Sequence, residues 1–70
     1  MEFGSLVLEI RKKLNITQEQ LAQELSISFS TVNRWENGHT SPSKLARMRL
    51  IEFCNENSVD THIVSKLKPL

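Results

Sequence analysis

Seventy residues carrying nine cations and eight anions make one small domain with a net charge of +1. A chain this short buries only about 60% of the surface its unfolded form exposes, which leaves no room for a catalytic cleft between two lobes. With 39% apolar and 24% charged residues it is too apolar to stay disordered, and its near-neutral charge gives no compositional pointer to nucleic acid. Two glycines, two prolines and few β-branched runs point to an all-α chain. The lone Cys54 cannot form an internal disulfide, no stretch approaches the roughly 18–20 apolar residues of a membrane helix, and no signal-peptide pattern opens the chain, so the cytoplasm is the expected compartment. His39, His62 and Cys54 lack ligand spacing, so no metal is expected. No nucleophile–base arrangement or phosphate-cradling glycine loop appears, so neither an enzyme nor a cofactor or small-molecule site is expected.

Residues 1–5, Met1-Glu2-Phe3-Gly4-Ser5, resemble a vector-derived leader or else extend the first helix. Leu6, Val7, Ile10 and Leu14 then recur at helical spacing, opposite Glu9, Arg11, Lys12 and Lys13. Asn15 supplies a turn, and Thr17-Gln18-Glu19-Gln20 fits a capping box that opens a second helix with Leu21, Ala22 and Leu25 inward. Ile27 is an apolar residue in a turn, placed to plug the angle between two helices. Ser28 caps a third helix bearing Phe29, Val32, Trp35 and Glu36, with Val32 and Trp35 on its buried side, and Asn37-Gly38 ends it. Ser41-Pro42 predicts the cap and first position of a fourth helix. Its apolar face is expected to hold Leu45, Met48 and Ile51, with Leu50, Phe53 and Cys54, ending near Asn55-Glu56-Asn57. Residues 58–70 form either a fifth short helix on Ile63, Val64 and Leu67 or a tail ordered on binding, and Pro69 stops either. The domain proper is thus expected over residues 6–57.

The informative feature is the pair of short helices at 18–25 and 28–36, joined by a turn of two or three residues. Ala22 is small enough to sit where they cross at about 90–120°. Such a crossing leaves one face of the second helix projecting, free to enter a groove about 12 Å wide. Arg11, the run Ile16-Thr17-Gln18-Glu19-Gln20-Leu21-Ala22-Gln23-Glu24-Leu25, Ile27-Ser28, Ser30-Thr31-Val32, Arg34-Trp35-Glu36-Asn37-Gly38 and Pro42 together resemble the phage repressor and Cro family, the xenobiotic-response-element type of helix-turn-helix domain. The resemblance implies a compact four- to five-helix lambda-repressor-like fold that binds double-stranded DNA.

It also implies roles. The family's base-reading positions fall here on Ser28, Phe29, Ser30, Asn33 and Arg34. Its phosphate-gripping positions fall on Thr17, Gln18, Asn37, His39, Ser41 and Lys44, with Gln18 also bracing the recognition helix. Arg11 and Glu36 match the residues that form a structural ion pair in the family. The residue chemistry fits independently: Arg34 can donate twice to guanine, Asn33 can pair with adenine, and Ser30 can donate or accept. Phe29 departs from the polar residue the family usually carries there, and its plausible base contact is a thymine methyl.

The leading reading is a sequence-specific transcriptional regulator of bacterial or phage type. It would act as a homodimer through the fourth helix and tail, where Leu50, Phe53, Ile63, Val64 and Leu67 offer apolar surface. Two alternatives belong to other classes. One is a DNA-targeting module of a larger DNA-modifying protein, or of an antitoxin. The other is a protein-interaction module that does not touch DNA, favoured by the near-neutral charge.

Overall fold

The computed structural model describes residues 3–68, which form α1 (Phe3–Leu14), α2 (Gln18–Leu25), α3 (Phe29–Glu36), α4 (Lys44–Glu56) and α5 (Thr61–Leu67). Among the described residues there is no strand. Pro69 and the first two residues of the leader-like segment lie outside the described residues. Phe3, Gly4 and Ser5 form the first turn of α1.

Each helix turns one narrow apolar stripe inward. Leu6, Val7 and Ile10 of α1 meet Leu21, Ala22 and Leu25 of α2, Val32 and Trp35 of α3, and Leu50, Phe53 and Cys54 of α4 in a single core. Helix α3 packs on both α1 and α2, while α5 closes the far side against α1 and α4. Gly4 lies where α1 crosses the end of α3: a Cβ there would collide with the carbonyl oxygen of Trp35 and sit 3.1 Å from Glu36 Cα. The Phe3 ring meets Trp35 edge to face at 5.3 Å.

The helix ends share one device. Asn15, Ser26, Gly38 and Ser58 all adopt left-handed backbone, with φ of 56°, 56°, 76° and 57°. At each, two backbone N–H groups fold back on the last turn. At the end of α2, for example, Ile27 N donates to Ala22 O at 3.0 Å and Ser26 N to Gln23 O at 3.2 Å, the Schellman pattern. Ile27 is half-buried against the core at this corner. The Ser26 turn leaves three residues between α2 and α3 and so fixes how α3 leaves α2.

Helix α4 departs from expectation in three respects. Ser43, not Ser41, caps it: Ser43 has extended backbone and its hydroxyl accepts from Ala46 N at 3.1 Å, so Pro42 lies outside the helix. Two serines of equal capping ability stand two residues apart, and the pattern of residue types does not choose between them. Leu45 and Met48 are 66% and 48% exposed, because the buried stripe runs through Ala46, Leu50, Phe53 and Cys54, leaving Ile51 half-covered. The third departure concerns the expected dimer surface. Leu50, Phe53, Ile63, Val64 and Leu67 are all buried within the single chain, so none is left to offer apolar surface to a partner. The segment after α4 forms α5, and its Ile63, Val64 and Leu67 complete the core. Two arginines of α4 also tie neighbouring helix ends: Arg47 Nη1 donates to Leu67 O and Arg49 Nη1 to Leu25 O, each at 3.0 Å. A cation on a C-terminal carbonyl is favourable in both charge and hydrogen bonding.

Candidate nucleic-acid interface

The interface begins with how α2 and α3 start. Thr17 Oγ1 accepts from Gln20 N at 3.1 Å while Thr17 N donates to Gln20 Oε1 at 2.8 Å, a complete capping box. Ser28 Oγ accepts from Thr31 N at 3.2 Å and also lies 2.8 Å from Thr31 Oγ1 and 3.1 Å from Ser30 Oγ. Its hydroxyl therefore serves the helix start first. Of the remaining base-reading candidates, Phe29 is 48% exposed, Ser30 and Arg34 are exposed, and Asn33 is half-buried. Val32 and Trp35 point the other way, into the core. The eight residues of α3 thus divide into an inward apolar edge and an outward edge of Phe29, Ser30, Asn33 and Arg34.

A polar relay fastens that outward edge to the scaffold. Arg11 grips Glu36 with both arms of its fork, Nε to Oε2 at 2.6 Å and Nη2 to Oε1 at 2.8 Å, and its Nη1 donates to Ile16 O at 3.1 Å. Gln18 Nε2 donates to Glu36 Oε1 at 3.0 Å, Asn33 Nδ2 donates to Gln18 Oε1 at 3.1 Å, and Asn37 Nδ2 donates to Asn33 Oδ1 at 2.9 Å. The relay joins α1, the start of α2 and the C-terminal half of α3. Burial alone would push the Glu36 carboxyl up, but the hydrogen bonds from Arg11 and Gln18, with the Arg11 charge, hold it below its ordinary range. The hydrogen bond to Glu36 raises Arg11 in turn. No buried side-chain polar atom among the described residues is left without a partner.

Of the phosphate candidates, Thr17 and Gln18 stand together at the start of α2, bordering a shallow depression that Arg11 and Phe29 also line. Asn37, His39 and Ser41 are exposed in the segment after α3, and Lys44 is the exposed first residue of α4. The sequence reading missed the side-chain clamp of Asn37 on Asn33, although their separation of four residues on one helix face was available as a signal. The link from Gln18 to Asn33 spans fifteen positions, and no local pattern announces it. Among the described residues no cluster of His, Cys, Asp and Glu could hold a metal ion, and no helix is long and apolar enough to cross a membrane.

A family model described as helix-turn-helix matches residues 7–59, from the second turn of α1 through α4 to the turn beyond. The chain is 38% identical over 55 residues to the type II methyltransferase M1.ScrFI of Lactococcus lactis subsp. cremoris, covering 74% of this chain and 14% of the methyltransferase. It is 40% identical over 43 residues to the HTH-type transcriptional activator BcrR of Enterococcus faecalis, covering 61% of this chain and 21% of the activator. An uncharacterized HTH-type transcriptional regulator of Methanothermobacter thermautotrophicus is 30% identical over 56 residues, covering 80% of this chain and 81% of that regulator. The chain therefore spans less than a quarter of the first two relatives and most of the third. No solved structure matches it significantly. The match across α1 to α4, together with an exposed α3 braced on α2, places the chain in the Cro/C1-type helix-turn-helix family of DNA-binding domains.

Proposed function

We propose that the chain is the DNA-reading domain of a transcriptional regulator, acting in the cytoplasm with α3 laid in the major groove. The observation that carries this reading is the outward edge of α3, with Phe29, Ser30 and Arg34 exposed and the half-buried Asn33 between them held by the Arg11–Glu36–Gln18–Asn33–Asn37 relay. A helix fixed on its scaffold docks without first losing conformational freedom, and an edge made of an arginine, an amide, a hydroxyl and an apolar ring suits base edges. In this reading Arg34 reads guanine, Asn33 adenine and Phe29 a thymine methyl, while Ser30 and Ser28 sit at the base step where α3 begins. Thr17, Gln18, Asn37, His39, Ser41 and Lys44 hold the phosphates on either side. Gln18 keeps one amide hydrogen beyond its bond to Glu36, enough to reach a phosphate while still bracing α3.

An eight-residue helix reads few base pairs, so two copies on adjacent half-sites about 34 Å apart are expected. The pairing surface we assign is the outer face of α4, where Leu45 and Met48 are exposed beside Arg49 and Glu52 at helical spacing. Glu24 and Glu56 border the depression that Leu45, Arg49 and Glu52 line, so a second copy must pack on Leu45 and Met48 with Arg49 set against the acidic rim. Sedimentation of the chain with its DNA site, and of Leu45→Glu, tests this: the substitution should abolish the two-copy complex and leave one-copy binding.

The methyltransferase relative favours a second reading, in which the domain targets a longer DNA-modifying protein and does not itself perform chemistry. The full open reading frame separates the two. Fluorescence anisotropy on duplex DNA across a salt series tests what they share. Affinity should fall with log salt at a slope of about −0.9 per phosphate neutralised, Lys44→Ala should flatten it by about one such contact, and Gln18→Ala should weaken binding at every salt with the slope unchanged. Equal binding at low and high salt would refute both readings.

A further inference from the structure

The three amides in the relay all face one way, and a carboxylate stands at their inner end. A carboxylate only accepts hydrogen bonds, and Arg11 already occupies both Glu36 oxygens, so Gln18 must turn its nitrogen toward Glu36. That leaves the Gln18 oxygen toward Asn33, which must answer with its own nitrogen, and the Asn33 oxygen then accepts from Asn37. We propose that this polarised relay is a specificity device: Glu36, acting through Gln18, fixes which way the Asn33 amide faces a base, and Asn37 clamps that amide from its outer end. The inference rests on the reading of α3 as the base-facing helix.

An amide nitrogen carries two hydrogens and its oxygen two lone pairs. The relay uses one of each on Asn33, so one donor and one acceptor remain, in fixed order, and that is the complement of adenine N7 and N6. Turned half a revolution about its last torsion, the same side chain offers donor and acceptor in reverse. It then suits an acceptor–donor pair running the other way, such as guanine O6 beside the N4 of its paired cytosine. An unrestrained asparagine adopts both orientations readily, because that torsion is broad and roughly two-fold. Here the reversal sets oxygen against the Gln18 oxygen and breaks that bond, since Glu36 holds the Gln18 amide in place, while the exposed Asn37 amide can turn with Asn33. Gln18, Glu36 and Asn37 are in this sense positioning residues for the Asn33 contact.

Asn37 gives the cleanest test, because it is exposed at the end of α3 and the Arg11–Glu36 pair does not depend on it. Asn37→Asp supplies an acceptor where the relay needs a donor, and Asn37→Ala removes the outer clamp without opposing it. Base preferences are measured by selection from a randomised duplex library for the wild type, Asn33→Ala, Asn37→Ala and Asn37→Asp. Asn33→Ala identifies the base pair that Asn33 reads. Asn37→Asp should then lower the preference at that pair by about tenfold, toward the small end of what one bidentate contact provides, and shift the favoured base, with preferences at other positions unchanged although overall affinity also falls because Asn37 lies among the phosphate contacts. Asn37→Ala should fall between. In the free wild-type protein, NMR coupling across the Asn33-to-Gln18 hydrogen bond should be present, and in Asn37→Asp it should weaken. If Asn37→Asp weakens every sequence evenly and leaves the preference at that pair as in the wild type, Asn37 is only a phosphate contact and the inference is overturned. It is equally overturned if Asn33→Ala changes no position while Arg34→Ala does, although α3 then remains the reading helix. If the wild type binds no duplex at low salt, the reading of α3 fails and the inference with it.

Discussion

Replacing Arg11 with Met removes a guanidinium that is only 17% exposed and leaves Glu36, 9% exposed, holding a charge with Gln18 as its remaining donor. The Ile16 carbonyl loses its 3.1 Å donor at the same time. A fully buried pair that loses one partner costs roughly 3–5 kcal/mol, and a solvated surface pair contributes about 0–1 kcal/mol. Both side chains here are mostly covered and yet touch water, which puts the expected loss between those limits, at about 2–3 kcal/mol. For a domain of this size that lowers Tm by roughly 10–20 °C. Thermal and urea denaturation of the wild type, Arg11→Met, Glu36→Gln and the double variant form the assay, and the double variant should be more stable than additivity allows by about 1–2 kcal/mol. Acid dependence supplies a further check. The Glu36 carboxyl lies lower in the folded state than its ordinary value of 4.5, so its contribution is complete above that value and is lost as pH falls through the folded one. Stability should therefore fall off below about pH 4.5 in the wild type, and less so in Glu36→Gln. A loss under about 0.5 kcal/mol in Arg11→Met with no coupling in the cycle would mean that the pair is solvated, and would refute the reasoning.

Gly4→Ala should destabilise the fold by about 1–2 kcal/mol in chemical denaturation. Overpacking against the Trp35 carbonyl outweighs the roughly 1 kcal/mol that alanine ordinarily gains inside a helix, and a rise in stability would mean that α1 does not pack there. Ser58→Gly should raise Tm by about 2–4 °C, because Ser58 holds φ of 57° where glycine is unstrained; an unchanged or lower Tm would count against strain at that turn. Burial pushes the Cys54 thiol up to about 11 and leaves it no exposed surface. Its reaction with a thiol reagent at neutral pH should therefore track unfolding, and rapid labelling of the folded chain would contradict its place in the core.

The parts of the fold that were legible in the sequence are those fixed within a few residues. Thr17 and Gln20 form a capping box from their spacing alone, Ser28 reads as a cap, and Gly38 marks the end of α3. Helix α4 was less legible because apolar residues occupy several of its faces. Leu45 and Met48 match a helical stripe as well as Leu50 and Phe53 do, and only the packing of α2 and α5 decides which stripe is buried. The same packing explains why the dimer surface expected on Leu50, Phe53, Ile63, Val64 and Leu67 is interior: α5 covers α4 before any partner can. Within the interface the residue types at Gln18, Asn33 and Arg34 were readable. The direction of the amide relay was not, because it depends on Glu36 and Arg11 arriving from two other parts of the chain.

The central claim is that the outer edge of α3 meets duplex DNA. Backbone amide NMR of the labelled chain, titrated with a short duplex at low salt, tests it most directly. Shifts should concentrate on Gln18, on Ser28 to Arg34 and on the segment from Asn37 to Lys44, while Leu8 of α1 and the whole of α5 stay in place. Shifts centred on α1 or α5, or a spectrum that does not change, would contradict it.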